Sequence, residues 1–129
     1  MDTAMASVGF VRRRDRYVHR RARFYVEFPR GPLAIGGEYR IRPVSRSTSH
    51  GRILMLSPTD SCRDRLAAFY HWGDRQSLTV AAWIAARNRV QLTALKQWST
   101  TEGAAERFEE FVQEIAKVRR RAAPRRRRK

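Results

Sequence analysis

The chain has 129 residues and a mass of 15.1 kDa, enough for one domain or a domain with a tail, and too little for two full cores or a large multidomain enzyme. Lys and Arg number 28 against 12 Asp and Glu, for a net charge of +16. Residues 1–56 carry 12 basic and 4 acidic side chains, residues 57–118 carry 8 of each, and residues 119–129 carry 8 basic and none acidic. With 42% hydrophobic residues the chain can build a core despite this charge. No apolar run approaches the roughly 18–20 residues that span a bilayer, and the Arg-dense start lacks a signal peptide's apolar stretch; a cytoplasmic protein with no membrane partner is expected. Cys62 is the single cysteine, so neither an internal disulfide nor a cysteine zinc site is expected. Only Lys96, Lys117 and Lys129 are lysines; phosphate recognition by Arg and a GC-rich genome both account for this.

A short helix is expected over Asp2 to Ser7, closed at Gly9. Strands follow at Arg16 to His19 and at Arg23 to Phe28, the latter bounded by Pro29-Arg30-Gly31-Pro32. Period two places Phe24, Val26 and Phe28 on one face and Tyr25 and Glu27 on the other. Glu38 to Val44 reads as a third strand, residues 45–52 as a polar connection, and Ile53 to Leu56 as an apolar run.

At Ser57 the period changes to 3.6. Ser57-Pro58-Thr59-Asp60 supplies a capping serine, a proline at the first helical position and a carboxylate three residues after the cap. Cys62, Leu66, Phe69 and Tyr70 form that helix's stripe, and the helix stops near Gly73. Asp74 caps a second helix carrying Leu78, Ala81, Ala82 and Ala85; a third runs from Leu92 towards Gly103. The last puts Phe108, Phe111, Val112, Ile115 and Val118 on one face and Glu106, Glu109, Glu110 and Glu114 on the other. The expected class is α+β, a small mixed or antiparallel sheet followed by a bundle of about four helices. Residues 1–56 form the strand region, 57–118 the bundle packed on it as one domain, and 119–129 a disordered basic tail.

Glu27, an acid among hydrophobes on a strand, reads either as one member of a carboxylate cluster for two magnesium ions or as a solvated strand residue. Asp60, Asp64 and Arg65 on the capped helix read either as a substrate or metal contact or as cap and surface ion pair. His71, Trp72, Asp74 and Arg75 at the next corner read either as a ligand contact or as corner packing, with Asp74 the cap and Trp72 a core anchor. Trp83 and Trp98 are expected in the core. His19 and His50 have no partner at ligand spacing, and Gly31 to Gly37 lacks the Lys and the following helix of a phosphate loop. Arg12, Arg13, Arg14, Arg20 and Arg21, with Arg125, Arg126, Arg127 and Arg128 in the tail, are the candidate contacts to RNA or DNA phosphates.

Gly9-Phe10-Val11-Arg12, the run Phe24-Tyr25-Val26-Glu27-Phe28-Pro29-Arg30-Gly31-Pro32-Leu33, and Leu56 to Gln76 with its Ser57-Pro58-Thr59-Asp60 start together resemble one family. It is the nucleotidyltransferase-like group related to AbiE-type abortive-infection toxins, in the DNA polymerase beta-like nucleotidyltransferase superfamily. The resemblance implies a mixed sheet with a Gly-Gly or Gly-Ser turn, an acid-x-acid strand, and a third acid between hydrophobes, which Val26-Glu27-Phe28 matches. The first two belong upstream of Asp2 to Ser7, and Gly36-Gly37 lies on the wrong side of the match. The implied chemistry is transfer of a nucleoside monophosphate from a Mg2+-bound NTP, with Glu27 as metal ligand. A chain entered partway is expected to be inactive alone and to leave a sheet edge for a protein partner. The alternative is a small basic nucleic-acid-binding accessory protein without catalysis.

Overall fold

Ser57 sets the start of the helical half. Its Oγ accepts a hydrogen bond from the Asp60 N–H at 3.0 Å, the serine cap that Ser-Pro-Thr-Asp encodes, and its hydroxyl donates to Asp60 Oδ2 at 2.7 Å. A computed structural model describes residues 1–122 except Pro29 and Tyr39. They form an α+β protein whose chain divides into two compact units, Met1–Pro32 and Leu33–Lys129.

In the first unit, helix α1 (Asp2–Ser7) precedes an antiparallel meander of β1 (Phe10–Arg13), β2 (Arg16–His19) and β3 (Tyr25–Glu27), in the order β1-β2-β3. Strand β1 supplies a first strand where the sequence pattern suggests none, because Val11-Arg12-Arg13 shows no apolar alternation. Phe10 pairs with His19 and Arg13 with Arg16; Arg16 in turn pairs with Glu27 and Tyr17 with Val26. One face therefore carries Phe10, Arg12, Tyr17, His19, Phe24, Val26 and Phe28, and the other Val11, Arg13, Arg16, Val18, Tyr25 and Glu27. Helix α1 is tied to the first face, where the Tyr17 hydroxyl donates to Asp2 Oδ1. Only Tyr17 is buried there; Phe24 and Phe28 stay exposed, contrary to the apolar face expected of them.

The second unit opens with a turn closed by the Ile35–Glu38 bridge. Its hairpin pairs β4 (Val44–Thr48) with β5 (Gly51–Met55), followed by α2 (Pro58–Trp72), α3 (Arg75–Arg87), α4 (Leu92–Thr101) and α5 (Ala105–Ala122). Of the expected strand over Glu38 to Val44, residues 40–43 are not in a strand and Val44 instead opens β4, and the segment read as a polar connection forms much of the hairpin. Every residue of β4 and β5 is exposed, so burial imposed no alternation on them. Residues from Leu33 onward group with the helices because Ile35 is buried in the helical core and Ile41 and Leu56 pack on it.

That core joins Cys62, Leu66, Phe69 and Tyr70 of α2 with Leu78, Ala81, Ala82 and Ala85 of α3, Leu95 and Trp98 of α4, and Phe108, Phe111, Ile115 and Val118 of α5. Helix α3 packs on both α2 and α5. Gly73 ends α2 in the left-handed conformation (φ 68°) and Asp74 restarts the chain. Asp74 Oδ1 accepts from the Gln76 and Ser77 N–H groups at 2.9 and 3.2 Å. Arg107 donates to the Phe69 carbonyl at 3.0 Å and also to that of Tyr70, satisfying the end of α2. The buried Ser99 and Tyr70 hydroxyls bond each other at 2.8 Å. Two tryptophans depart from expectation: Trp72 is 79% exposed and Trp83 46% exposed, whereas Trp98 is buried. Arg119–Arg121, expected in the tail, belong to α5, and Arg125 to Arg128 lie outside the described residues.

Two outcomes follow from this core. Phe111→Ala costs about 3–5 kcal/mol in urea unfolding because Phe111 is fully buried, while the half-exposed Val112→Ala costs less than about 1 kcal/mol. The Cys62 thiol, which burial pushes up to about 12, reacts with a thiol reagent at neutral pH only as fast as the bundle opens.

Candidate nucleic-acid interface

Residues 1–32 hold eight arginines against three carboxylates, Asp2, Asp15 and Glu27. Strand register decides what those carboxylates do. Arg13 stands directly across from Arg16, a like-charge pair that destabilises the ladder unless one member is neutralised. Arg16 is the neutralised member: its guanidinium meets Asp15 Oδ1 at 3.1 Å and Glu27 Oε1 at 3.4 Å, and its Cζ lies 4.5 Å from the Tyr25 ring centroid. Asp2, bonded by Tyr17, also meets Arg12 at 3.5 Å. All three acids are thus engaged with Arg12 or Arg16. Arg13, Arg14, Arg20, Arg21, Arg23 and Arg30 make no ion pair among the described residues.

Backbone geometry pushes one of these arginines outward at a cost. The β1–β2 hairpin turns through Arg14-Asp15, and Arg14 takes φ 57°, a left-handed conformation that Gly or Asn occupies with less strain. Arg12 Nε donates to the Arg14 carbonyl at 3.4 Å and steadies the turn. Three aromatic rings stand exposed beside this charge, Phe24, Tyr25 and Phe28. Phe28 is held edge-on to Tyr17 with centroids 5.6 Å apart. These rings are the part of the surface that sequence reading missed, because period two assigned two of them to the apolar face of a strand. Their interleaving with Arg was the available signal.

The acid singled out in the sequence, Glu27, sits on the open face against Arg16. Its neighbours do not make the donor set that magnesium requires, which is several carboxylates converging on one point. Among the described residues no group of three or more His, Cys, Asp or Glu side chains is placed to hold a cation.

In the second unit the candidate residues do not converge. Asp60, in the first turn of α2, accepts from the capping Ser57 hydroxyl and binds Arg63 at 3.2 Å, while Asp64 pairs with the adjacent Arg65. His71 Nε2 meets Glu102 Oε2 at 2.9 Å, and Glu102 Oε1 also accepts from the Gly37 N–H at 3.4 Å. Gly36-Gly37 thus receives a carboxylate of its own chain. Asp74 is the α3 cap, which holds its carboxyl below the ordinary range chiefly through the Ser77 hydroxyl. Arg75 meets Glu110 at 2.6 Å and lies over the Phe69 ring. No helix among the described residues is long and apolar enough to cross a membrane. No family model matches the chain, and neither a curated protein nor a solved structure matches it.

Two outcomes test this geometry. Arg14→Gly stabilises the hairpin by roughly 1 kcal/mol through relief of the left-handed strain, read from thermal unfolding of the first unit. Asp2 has its carboxyl lowered below the ordinary 3.8, first by the Tyr17 hydrogen bond. Its contribution is complete above that value and disappears as pH falls through the lowered one, so in acid the Tyr17 ring signals shift only below about pH 3.8, and Asp2→Asn removes that acid transition.

Proposed function

We propose that residues 1–32 form a binding surface for single-stranded nucleic acid, and that this surface acts without chemistry of its own. The observation that carries the reading is the set of six arginines left without a carboxylate in and around a small sheet, one of them exposed in the strained hairpin turn. Guanidinium groups neutralise phosphates and release condensed counterions, which drives binding without reading sequence. Exposed Tyr25, on the face that carries Arg13, supplies a ring on which an unpaired base stacks, and Phe24 and Phe28 stand exposed on the opposite face; such rings favour single strands over duplex. Arg16 also rests on Tyr25, so the ring is pre-oriented.

This reading is preferred to nucleotidyl transfer, the chemistry that the family resemblance implies. Transfer would need Glu27 free to face a metal with further carboxylates, and Glu27 supports Arg16 instead. Under the binding reading Glu27 is an electrostatic brake, since its charge opposes the phosphates.

The test is fluorescence anisotropy with a labelled single-stranded oligonucleotide of mixed sequence across a salt series, on the full chain and on a chain lacking residues 123–129. The shortened chain is expected to retain tight, salt-dependent binding. Replacing Arg13, Arg14, Arg20 and Arg21 by Ala is expected to reduce the slope of log K against log salt by about 3, at about 0.7 per phosphate on a single strand. Tyr25→Ala weakens binding by about 1–3 kcal/mol, and Glu27→Gln strengthens it. Loss of all binding with residues 123–129, or an unchanged slope in the fourfold variant, would overturn the reading.

A further inference from the structure

Helix α3 buries one face and leaves the other bare. Ser77, Leu78, Ala81, Ala82 and Ala85 point into the core, so Val80, Trp83 and Arg87 must point out, and Val80 and Trp83 are 41% and 46% exposed. The Arg87 guanidinium lies over the Trp83 ring, 4.4 Å from its centroid. Beside it a hollow of about 360 Å³ is lined by Val80, Trp83, Ile84 and Asn88. A second hollow, of about 440 Å³, is lined by the cross-strand pair Val44 and Met55 together with Arg46, Ile84 and Asn88. Ile84 and Asn88 line both, so the two hollows adjoin, one along the outer face of α3 and the other between that helix and the β4–β5 hairpin; together they are the groove on this side of α3.

Three features of this groove bear on what fills it. The first is the hairpin, a two-stranded ladder that is marginal by itself and whose apolar Val44, Ile53 and Met55 share one exposed face. The second is charge: neither hollow is lined by an Asp or Glu, while Arg46 and Arg87 stand in the two linings and make no ion pair among the described residues. The third is the aliphatic character of the floor, which offers methyl groups for side-chain anchors. It has neither a row of rings for bases nor a track of cations for phosphates.

We infer that the groove between α3 and the β4–β5 hairpin is a docking site for an acidic amphipathic segment of a partner protein. The partner's apolar residues seat on Val80, Trp83, Ile84 and Met55, and its carboxylates meet Arg46 and Arg87. Complementary charge fixes which partners are accepted, and burial of the hairpin's exposed face contributes affinity. This surface is separate from the arginine sheet of residues 1–32 in both residues and chemistry.

The full chain is titrated into fluorescein-labelled peptides of about 18 residues, long enough for roughly five helical turns. One peptide has Leu at helical spacing among Glu, one has the same composition in scrambled order, and one has Lys in place of every Glu. At about 0.15 M salt the ordered acidic peptide is expected to bind at least about tenfold tighter than the scrambled one. Arg46→Glu with Arg87→Glu should reverse the preference in favour of the Lys peptide, and Trp83→Ala should weaken the ordered acidic peptide by about tenfold or more. These side chains lie on the surface, so an unchanged circular dichroism spectrum is expected and separates lost binding from lost fold. Equal binding of ordered and scrambled acidic peptides would mean that net charge alone attracts them, and would overturn the proposal. So would an undiminished preference in the charge-reversed variant, displacement of the peptide by a single-stranded oligonucleotide, or light scattering that shows a dimer split by Trp83→Ala.

Discussion

The close approach that Ala81, Ala82 and Ala85 permit is the constraint on which the second unit rests. All three are buried, and their lack of bulk lets α3 pack against α2 and α5 together. The larger side chains of those helices, Leu66 and Phe69 on one and Phe111 and Ile115 on the other, then fill the same core. Asp74 determines the rotational phase of the stripe, since its carboxylate accepts the first free N–H groups and starts α3 immediately after Gly73 turns the chain. Once that phase is set, Val80 and Trp83 have nowhere to go but outward. The exposed face of α3 is a consequence of the same geometry that buries its alanines.

A different constraint governs residues 1–32, where the strand ladder supplies little buried apolar area and charge arrangement dominates. Pairing Arg13 with Arg16 across β1 and β2 would repel, and Asp15 and Glu27 collect around Arg16 to relieve it. This arrangement uses the last two free carboxylates of the segment, Asp2 being held by Tyr17 and Arg12. The surrounding arginines consequently present an unopposed positive field to solvent. Structural neutralisation at one arginine and the unpaired charge of the others are therefore two results of one distribution of charge.

The helical half was largely legible in the sequence. Helical spacing identified the stripes of α2, α3 and α5, and the cap residues Ser57 and Asp74 and the left-handed Gly73 marked their boundaries. The β segments were harder. Strand β1 is rich in arginine and β4–β5 is exposed throughout, so neither carries the alternation that burial imposes on a strand. Trp72 and Trp83 show a further limit: large aromatic residues at helical spacing fit a core equally well on paper, yet α2 and α3 turn them outward. Candidate site residues fared in the same way. Asp60 was recognisable as the first-turn acid of a capped helix and Asp74 as a cap from their local sequence, but the pairings of His71 with Glu102 and Arg75 with Glu110 join residues more than thirty positions apart.

What the sequence determined by itself is local: where helices begin and end, which residues recur on one face, and that positive charge is concentrated at both ends of the chain while its middle is balanced. These follow from backbone hydrogen bonding, conformational preference and composition, which act over a few residues. Tertiary structure alone decided that Glu27 meets Arg16, that six arginines near the start lack carboxylate partners among the described residues, and that Ile84 and Asn88 join a helix face to a hairpin. Each of those depends on strand register or helix packing, in which segments distant along the chain are brought within bonding distance, and no local preference specifies which segments meet.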